Sequence, residues 1–164
     1  MLKKSFFLIL FTNVLLINAQ PTLDVKKYAG TWFVIGSKPT VVDKNWCCIS
    51  ETYAWNEKEY FTVLTHHKEK LGAELKTFKH KLYRDTDKSG FHWKDHLNFF
   101  VRVDYLIHKV AEDYSYVIVG HPKHKYLYIM SRTPTMEAEL YNELIEFSVQ
   151  LGYKKEEIVV QRRE

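Results

Sequence analysis

Between residues 31 and 131 the chain divides into short runs rich in β-branched and aromatic residues, each bounded by a polar turn. This pattern constrains the fold more than any other feature. Short strands that follow one another closely pair with their sequence neighbours as antiparallel hairpins. An open sheet built this way leaves two unpaired edges, and closing it into a barrel removes them. The runs cover residues 31–37, 49–55, 60–66, 75–82, 97–103, 104–110, 114–119 and 126–131. Asn56-Glu57-Lys58-Glu59, residues 84–90, Ala111-Glu112-Asp113 and Gly120-His121-Pro122-Lys123-His124 read as turns between them. The expectation is an all-β fold, an eight-stranded antiparallel up-and-down barrel.

One helix follows the last strand. Thr133 is placed to cap it, with Pro134 at the first helical position. Leu140, Leu144, Phe147 and Leu151 recur at helical spacing and form one apolar stripe. Gly152 suits the residue just past the helix end. Such a helix packs its stripe against the outside of the barrel. Residues 158–160 can add a last short strand.

The chain begins with an export signature. Lys3 and Lys4 precede an apolar run from 6 to 17, and Ala19 offers a small residue for cleavage. The run is shorter than the ~20 residues of a comfortable membrane span. Residues 1–19 are expected to be a signal peptide and residues 20–164 the single mature domain. Gln20 and Pro21 stand where a lipoprotein would carry its acylated Cys. The expectation is a soluble exported protein, periplasmic or secreted, with no membrane anchor.

Charge excludes one class of partner. Without Lys3 and Lys4 the balance is 22 basic to 20 acidic residues, with no dense basic stripe for nucleic acid. Cys47 and Cys48 are adjacent. Their Cα spacing of ~3.8 Å is shorter than the ~4.4–6.8 Å of an ordinary disulfide, so two unbridged thiols are expected.

Three motifs carry a family resemblance. Tyr28-Ala29-Gly30-Thr31-Trp32-Phe33 resembles the Gly-x-Trp signature that opens the first strand of lipocalins. Asp113-Tyr114-Ser115-Tyr116-Val117-Ile118-Val119-Gly120 is similar to the second lipocalin signature. Tyr126-Leu127-Tyr128-Ile129-Met130-Ser131-Arg132-Thr133-Pro134 is similar to the third. The similarity extends over the mature chain, more weakly between Lys68 and His96, and the stretch from Asp113 to Gly152 is especially similar to the bacterial lipocalin and apolipoprotein D branch. It implies a calyx-shaped barrel whose structural motif here is Gly30, Trp32, Asp113, Tyr114 and Arg132. Arg132 is then expected to lie across the Trp32 indole, a cation–π contact of ~0.5–2 kcal/mol.

An eight-stranded barrel can hold one small ligand. Strand alternation nominates its lining as Tyr53, Trp55, Phe61, Val63, Phe99, Val101, Tyr105, Tyr116, Ile118 and Tyr128. The tyrosines add hydroxyls to an apolar wall, which suits a ligand with an apolar body and one polar head. The resemblance implies a fatty acid, lysophospholipid or similar lipid, carried or stored during membrane-lipid maintenance. A second reading is a barrel nearly filled by its own side chains that acts through protein contacts. A remote third is a lipid-modifying enzyme using Cys47 or Cys48, although no basic partner stands beside them in sequence.

No cofactor or metal is expected. His66-His67 and His121-x-x-His124 lack further ligands at recognised spacing and read as solvated loop residues. Asp85-Thr86-Asp87-Lys88-Ser89-Gly90 begins like a calcium loop, but His96 occupies the twelfth position where Glu is required. A homodimer is compatible with the sequence.

Overall fold

A computed structural model of the chain describes residues 22–162, so the leader expected at 1–19 lies outside the described residues. A short helix α1 (Val25–Tyr28) leads into β1 (Gly30–Lys38), β2 (Cys47–Asn56), β3 (Tyr60–Lys68) and β4 (Lys76–Arg84). Then come β5 (His92–His96), β6 (Arg102–Val110), β7 (Tyr116–Gly120) and β8 (Leu127–Ser131). Helix α2 (Ala138–Gln150), a 3-10 turn (Lys155–Glu157) and β9 (Val159–Val160) complete the chain. Each of β1 to β8 pairs antiparallel with the next, and β8 returns to β1. The sheet is therefore a closed eight-stranded barrel with one C-terminal helix outside. β9 adds to the upper half of β1 at Gly36 and Ser37.

The fifth strand differs from expectation. Residues 97–101, read as part of a strand, form the β5–β6 turn, and β5 lies just before them. The Asn98 side chain explains the difference. Its Oδ1 accepts the N–H groups of Phe100 and Val101, each at 2.9 Å, and Leu97 N–H donates across the turn to the Val101 carbonyl. This local closure outweighs the strand preference of Leu97, Phe99, Phe100 and Val101. Tyr114 also falls outside a strand. It sits at φ 59° in the β6–β7 turn, where Asp113 Oδ1 accepts the Ser115 N–H.

Helix α2 starts later than Thr133 and Pro134. The Thr133 hydroxyl donates instead to the Thr135 carbonyl, and Glu137 occupies the cap position. The helix end follows expectation. Gly152 has φ 100°, its N–H donates to the Val149 carbonyl, and Tyr153 N–H donates to the Ser148 carbonyl.

Two apolar layers hold the fold together. Inside the barrel, Trp32, Phe61, Val63, Trp93, Val117 and Met130 are buried together. Outside it, Ile118, Leu127 and Ile129 pack against Leu144, Ile145 and Tyr153. Of the expected helix stripe, Leu144 is buried and Leu140, Phe147 and Leu151 pack at its margin.

Tyr153 fastens the helix end to the wall. Its hydroxyl donates to the His121 carbonyl and lies 3.1 Å from His108 Nε2. Burial, reinforced by the charges of His124 and His92, pushes the His108 pKa down to about 4. The folded value lies below the ordinary 6.5, so the unfolded chain takes up the proton first as pH falls. Stability should be lost between about 6.5 and about 4. His108→Gln keeps a polar partner for Tyr153 and removes the titration. It should shrink the loss over that range by about 1–2 kcal/mol, allowing for the ring's partial solvent contact, as read by urea unfolding at a series of pH values.

Candidate functional site: a barrel cavity with a sealed floor

The floor is built first. Gly30 turns into β1 at φ 101°, and a side chain there would press on Arg132 Nη1. The Arg132 guanidinium lies 3.6 Å over the Trp32 ring. It also donates to the carbonyls of Thr31 (3.0 Å), Tyr28 (3.1 Å), Lys27 and Tyr114. Trp32 Nε1–H donates to the Tyr28 carbonyl, and the Tyr114 hydroxyl accepts the Asp24 N–H. Arg132 thus ties α1, β1 and the β6–β7 turn across the closed end.

Above the floor the interior is filled. Tyr53, Trp55, Phe61 and Val63, nominated as ligand lining, pack with Tyr28 and Trp93 in this lower half. The open cavity, about 170 Å³, lies higher. Trp46, Phe78, Tyr105, Tyr126 and Tyr128 supply its aromatic surface, with Ile49, Leu97 and Val103 between them.

The nominated residues therefore separate into groups. Tyr105 and Tyr128 line the cavity. Phe99 and Val101 do not, because the β5–β6 turn carries them outward; Phe99 is 87% exposed. Tyr116 and Ile118 lie on the other face of β7, within the layer under α2, while Val117 and Val119 face inward.

Alternation missed a set of polar residues. Glu51, Thr65, His80 and Asp95 line the cavity as one hydrogen-bonded chain. Glu51 accepts from the hydroxyls of Tyr53 and Thr65. Thr65 Oγ1 lies 2.9 Å from His80 Nε2, and His80 Nδ1 lies 2.6 Å from Asp95 Oδ1. Burial raises the Glu51 pKa above the ordinary carboxyl value, against the pull of His80 and the Tyr53 hydroxyl. Burial opposes charge on His80 too, but the Asp95 contact outweighs it and raises the His80 pKa. Because both folded values are raised, the stability these groups contribute is greatest at low pH. It declines as pH rises above about 4.5 for Glu51 and about 6.5 for His80.

The β1–β2 connection, residues 39–46, leans over the cavity. Asp43 is buried, accepting from Thr40 and from the Tyr128 hydroxyl. Trp46 stacks on His67 with ring centroids 3.6 Å apart. Of the histidines read as solvated, His66 is half-buried and bonds to Thr77, whereas the other three are packed. His67 and His121 are buried, and His124 packs against Tyr153. Cys47 and Cys48 are unbridged, with sulfurs 3.6 Å apart at a β-bulge, and neither lines the cavity. Among the described residues, no group of three or more His, Cys, Asp or Glu is placed to hold a metal ion.

A closed barrel with a tied floor, a partly covered mouth and an internal cavity defines a calyx-type small-molecule-binding protein. Residues 23–163 match the family model of the lipocalin-like domain, and the chain belongs to the lipocalin family. Temperature-induced lipocalin-1 of Arabidopsis thaliana is 31% identical over 139 residues, covering 80% of this chain and 74% of the relative. The outer membrane lipoprotein Blc of Vibrio cholerae is 23% identical over 147 residues, covering 87% and 85%. Two solved structures share the fold. Insecticyanin from the tobacco hornworm Manduca sexta has a TM-score of 0.68 at 18% identity, covering 90% of this chain and 85% of its own. Lobster apocrustacyanin A1 has a TM-score of 0.67 at 15% identity, covering 85% and 81%. Family and fold together support the binding or transport of a hydrophobic ligand. No described helix is long and apolar enough to cross a membrane.

Proposed function

We propose that this protein is exported behind a leader at residues 1–19 and carries or stores a small hydrophobic ligand in its upper barrel. The observation that carries this reading is an aromatic cavity at the open end of a closed barrel, with hydrogen-bonding groups along its wall. The apolar body of the ligand rests on Trp46, Phe78 and Tyr126, and its polar head meets Glu51, His80 and Asp95. Burial contributes ~0.8 kcal/mol per methylene before entropic costs.

Size and charge narrow the ligand. About 170 Å³ is close to the ~150 Å³ cavity that admits benzene and below the ~300 Å³ usual for larger ligands. A ring-sized molecule or one end of a chain fits, and the rest of a lysophospholipid or fatty acid would extend through the mouth. The wall carries Asp43, Glu51 and Asp95 and no Lys or Arg, and both His80 nitrogens are engaged. A fatty-acid carboxylate therefore finds no free cation. A neutral hydroxyl head or a cationic head is favoured over it.

Val103→Trp places an indole in the cavity and tests the reading. Tryptophan fluorescence titrations with 1-octanol, octylamine and octanoate should show saturable binding to the parent, weakest for octanoate. The variant, folded by circular dichroism, should lose at least roughly tenfold in affinity for all three. Equal affinities for parent and variant would place the ligand elsewhere.

A further inference from the structure

The exposed apolar side chains are not scattered over this barrel. Strand direction puts the β1–β2, β3–β4, β5–β6 and β7–β8 connections at the mouth and the remaining hairpin turns at the floor. Of the large apolar side chains exposed among the described residues, all but Val149, Val159 and Val160 lie in the mouth connections. Val41 and Val42 are 85% and 70% exposed at the tip of the first. Leu71 and Leu75 stand on the second. Phe99 and Phe100, on the third, are 87% and 89% exposed and touch each other edge to face. Three separate loops thus raise apolar tips around one opening. Scattered exposed apolar residues are ordinary, but a cluster around one rim marks a contact surface.

Charge identifies what the surface meets. The mouth connections and the strand ends beside them, residues 38–47, 68–76, 96–102 and 121–126, hold eight Lys or Arg against three acids. Asp43 is buried and accepts from Thr40 and Tyr128, while Lys76 pairs with Glu69 and Lys38 with Glu157; outside these contacts stand six bases and one acid, Glu74. The floor turns with their flanking residues, 56–60, 84–92 and 110–116, hold six acids against three bases. Lys26 and Lys27 of α1 and Arg132 of the floor itself offset most of this, with Asp24 adding one acid, so the floor is close to neutral while the mouth is basic. The barrel is therefore polarised along its axis, with its basic, apolar end at the cavity opening. Apolar side chains ringed by Lys and Arg are what an anionic bilayer surface binds, by shallow insertion and attraction to headgroups. We propose that the mouth docks on anionic lipid bilayers, Phe99 and Phe100 inserting while Lys123 and Lys125 meet the headgroups. Docking depends on the rim alone and holds whatever head the ligand carries.

Vesicle flotation of the chain purified after export tests this. Binding to phosphatidylcholine vesicles containing phosphatidylglycerol should exceed binding to pure phosphatidylcholine by roughly tenfold and fall at high salt. Phe99→Ser with Phe100→Ser should reduce binding to the anionic vesicles by at least roughly tenfold. Lys123→Glu with Lys125→Glu should abolish the preference for anionic lipid. Val149→Ser, an exposed apolar site away from the mouth, should change nothing. These positions are exposed, so matching melting curves confirm that each variant folds. Docking is overturned if the parent does not float with anionic vesicles, or if the Phe99/Phe100 variant floats as the parent does. It is also overturned if sedimentation shows that those phenylalanines instead join two copies mouth to mouth and no vesicle binding occurs.

Discussion

Arg132→Met should lower unfolding free energy by about 3 kcal/mol and the melting temperature by roughly 6–12 °C. The Met side chain retains much of the apolar contact with Trp32 but loses the cation–π attraction, ~2 kcal/mol where water is excluded. It also leaves the carbonyls of Thr31, Tyr28, Lys27 and Tyr114 without their guanidinium donor. Some of those carbonyls regain water, which keeps the cost below the sum of four charged hydrogen bonds. Arg132→Lys should recover little, because one ammonium cannot lie flat on the indole and reach four carbonyls at once. Thermal and urea unfolding measure both variants. An unchanged melting point for Arg132→Met would remove the proposed tie. The site is at the closed end, so ligand affinity per folded molecule should stay the same.

That tie was legible in the sequence because it rests on spacing and residue type. Gly30, Trp32 and Arg132 sit at family positions, and each has one geometrically favoured task. The barrel was legible for a similar reason, since hairpin-linked strands close in few ways. The fifth strand was not. His92-Trp93-Lys94-Asp95-His96 has little strand propensity, whereas the turn after it is rich in apolar residues. Asn98 decided the matter through two side-chain hydrogen bonds that propensity does not count. The slip moved Phe99 and Val101 from the rim to the wall in the expected lining. On β7, both faces are apolar, so alternation could not say that Ile118 faces the helix and Val119 the interior.

The polar chain in the cavity is present in the alternation, but alternation alone does not join its members. Glu51 shares a face with Tyr53 and Trp55, Thr65 with Phe61 and Val63, and Asp95 with Trp93. Following each apolar face one step toward the mouth reaches a polar residue on four neighbouring strands, β2 to β5, with His80 following the buried Leu82 on β4. A polar residue at the end of an inward face is usually solvated. Only pairing register shows that these four meet one another. Register also makes His67 buried, although its sequence neighbours are charged and polar.

Gly120→Ala should cost about 2–4 kcal/mol, an unusually large effect for adding one methyl group. Gly120 ends β7 where Tyr153 crosses the wall. A Cβ there would overlap the Tyr153 hydroxyl and lie 3.0 Å from both His108 Nε2 and the Tyr126 carbonyl oxygen. The Tyr126 carbonyl belongs to the backbone and cannot swing aside. Tyr153 is 2% exposed and held through its hydroxyl by His121, so moving it disturbs the whole end of α2. Removing the hydroxyl should relieve the worst contact. Tyr153→Phe alone should cost about 1 kcal/mol, the net worth of a hydrogen bond. The double variant should then be more stable than the sum of the two losses predicts, by at least ~1 kcal/mol. Urea unfolding of the four proteins gives this coupling directly. Simple additivity would mean that the Tyr126 backbone, not the Tyr153 hydroxyl, sets the limit at Gly120. Strong coupling would instead show that α2 is registered on the barrel by a glycine-shaped gap. A helix placed that way is fixed by the absence of a side chain in the wall as much as by its own apolar stripe.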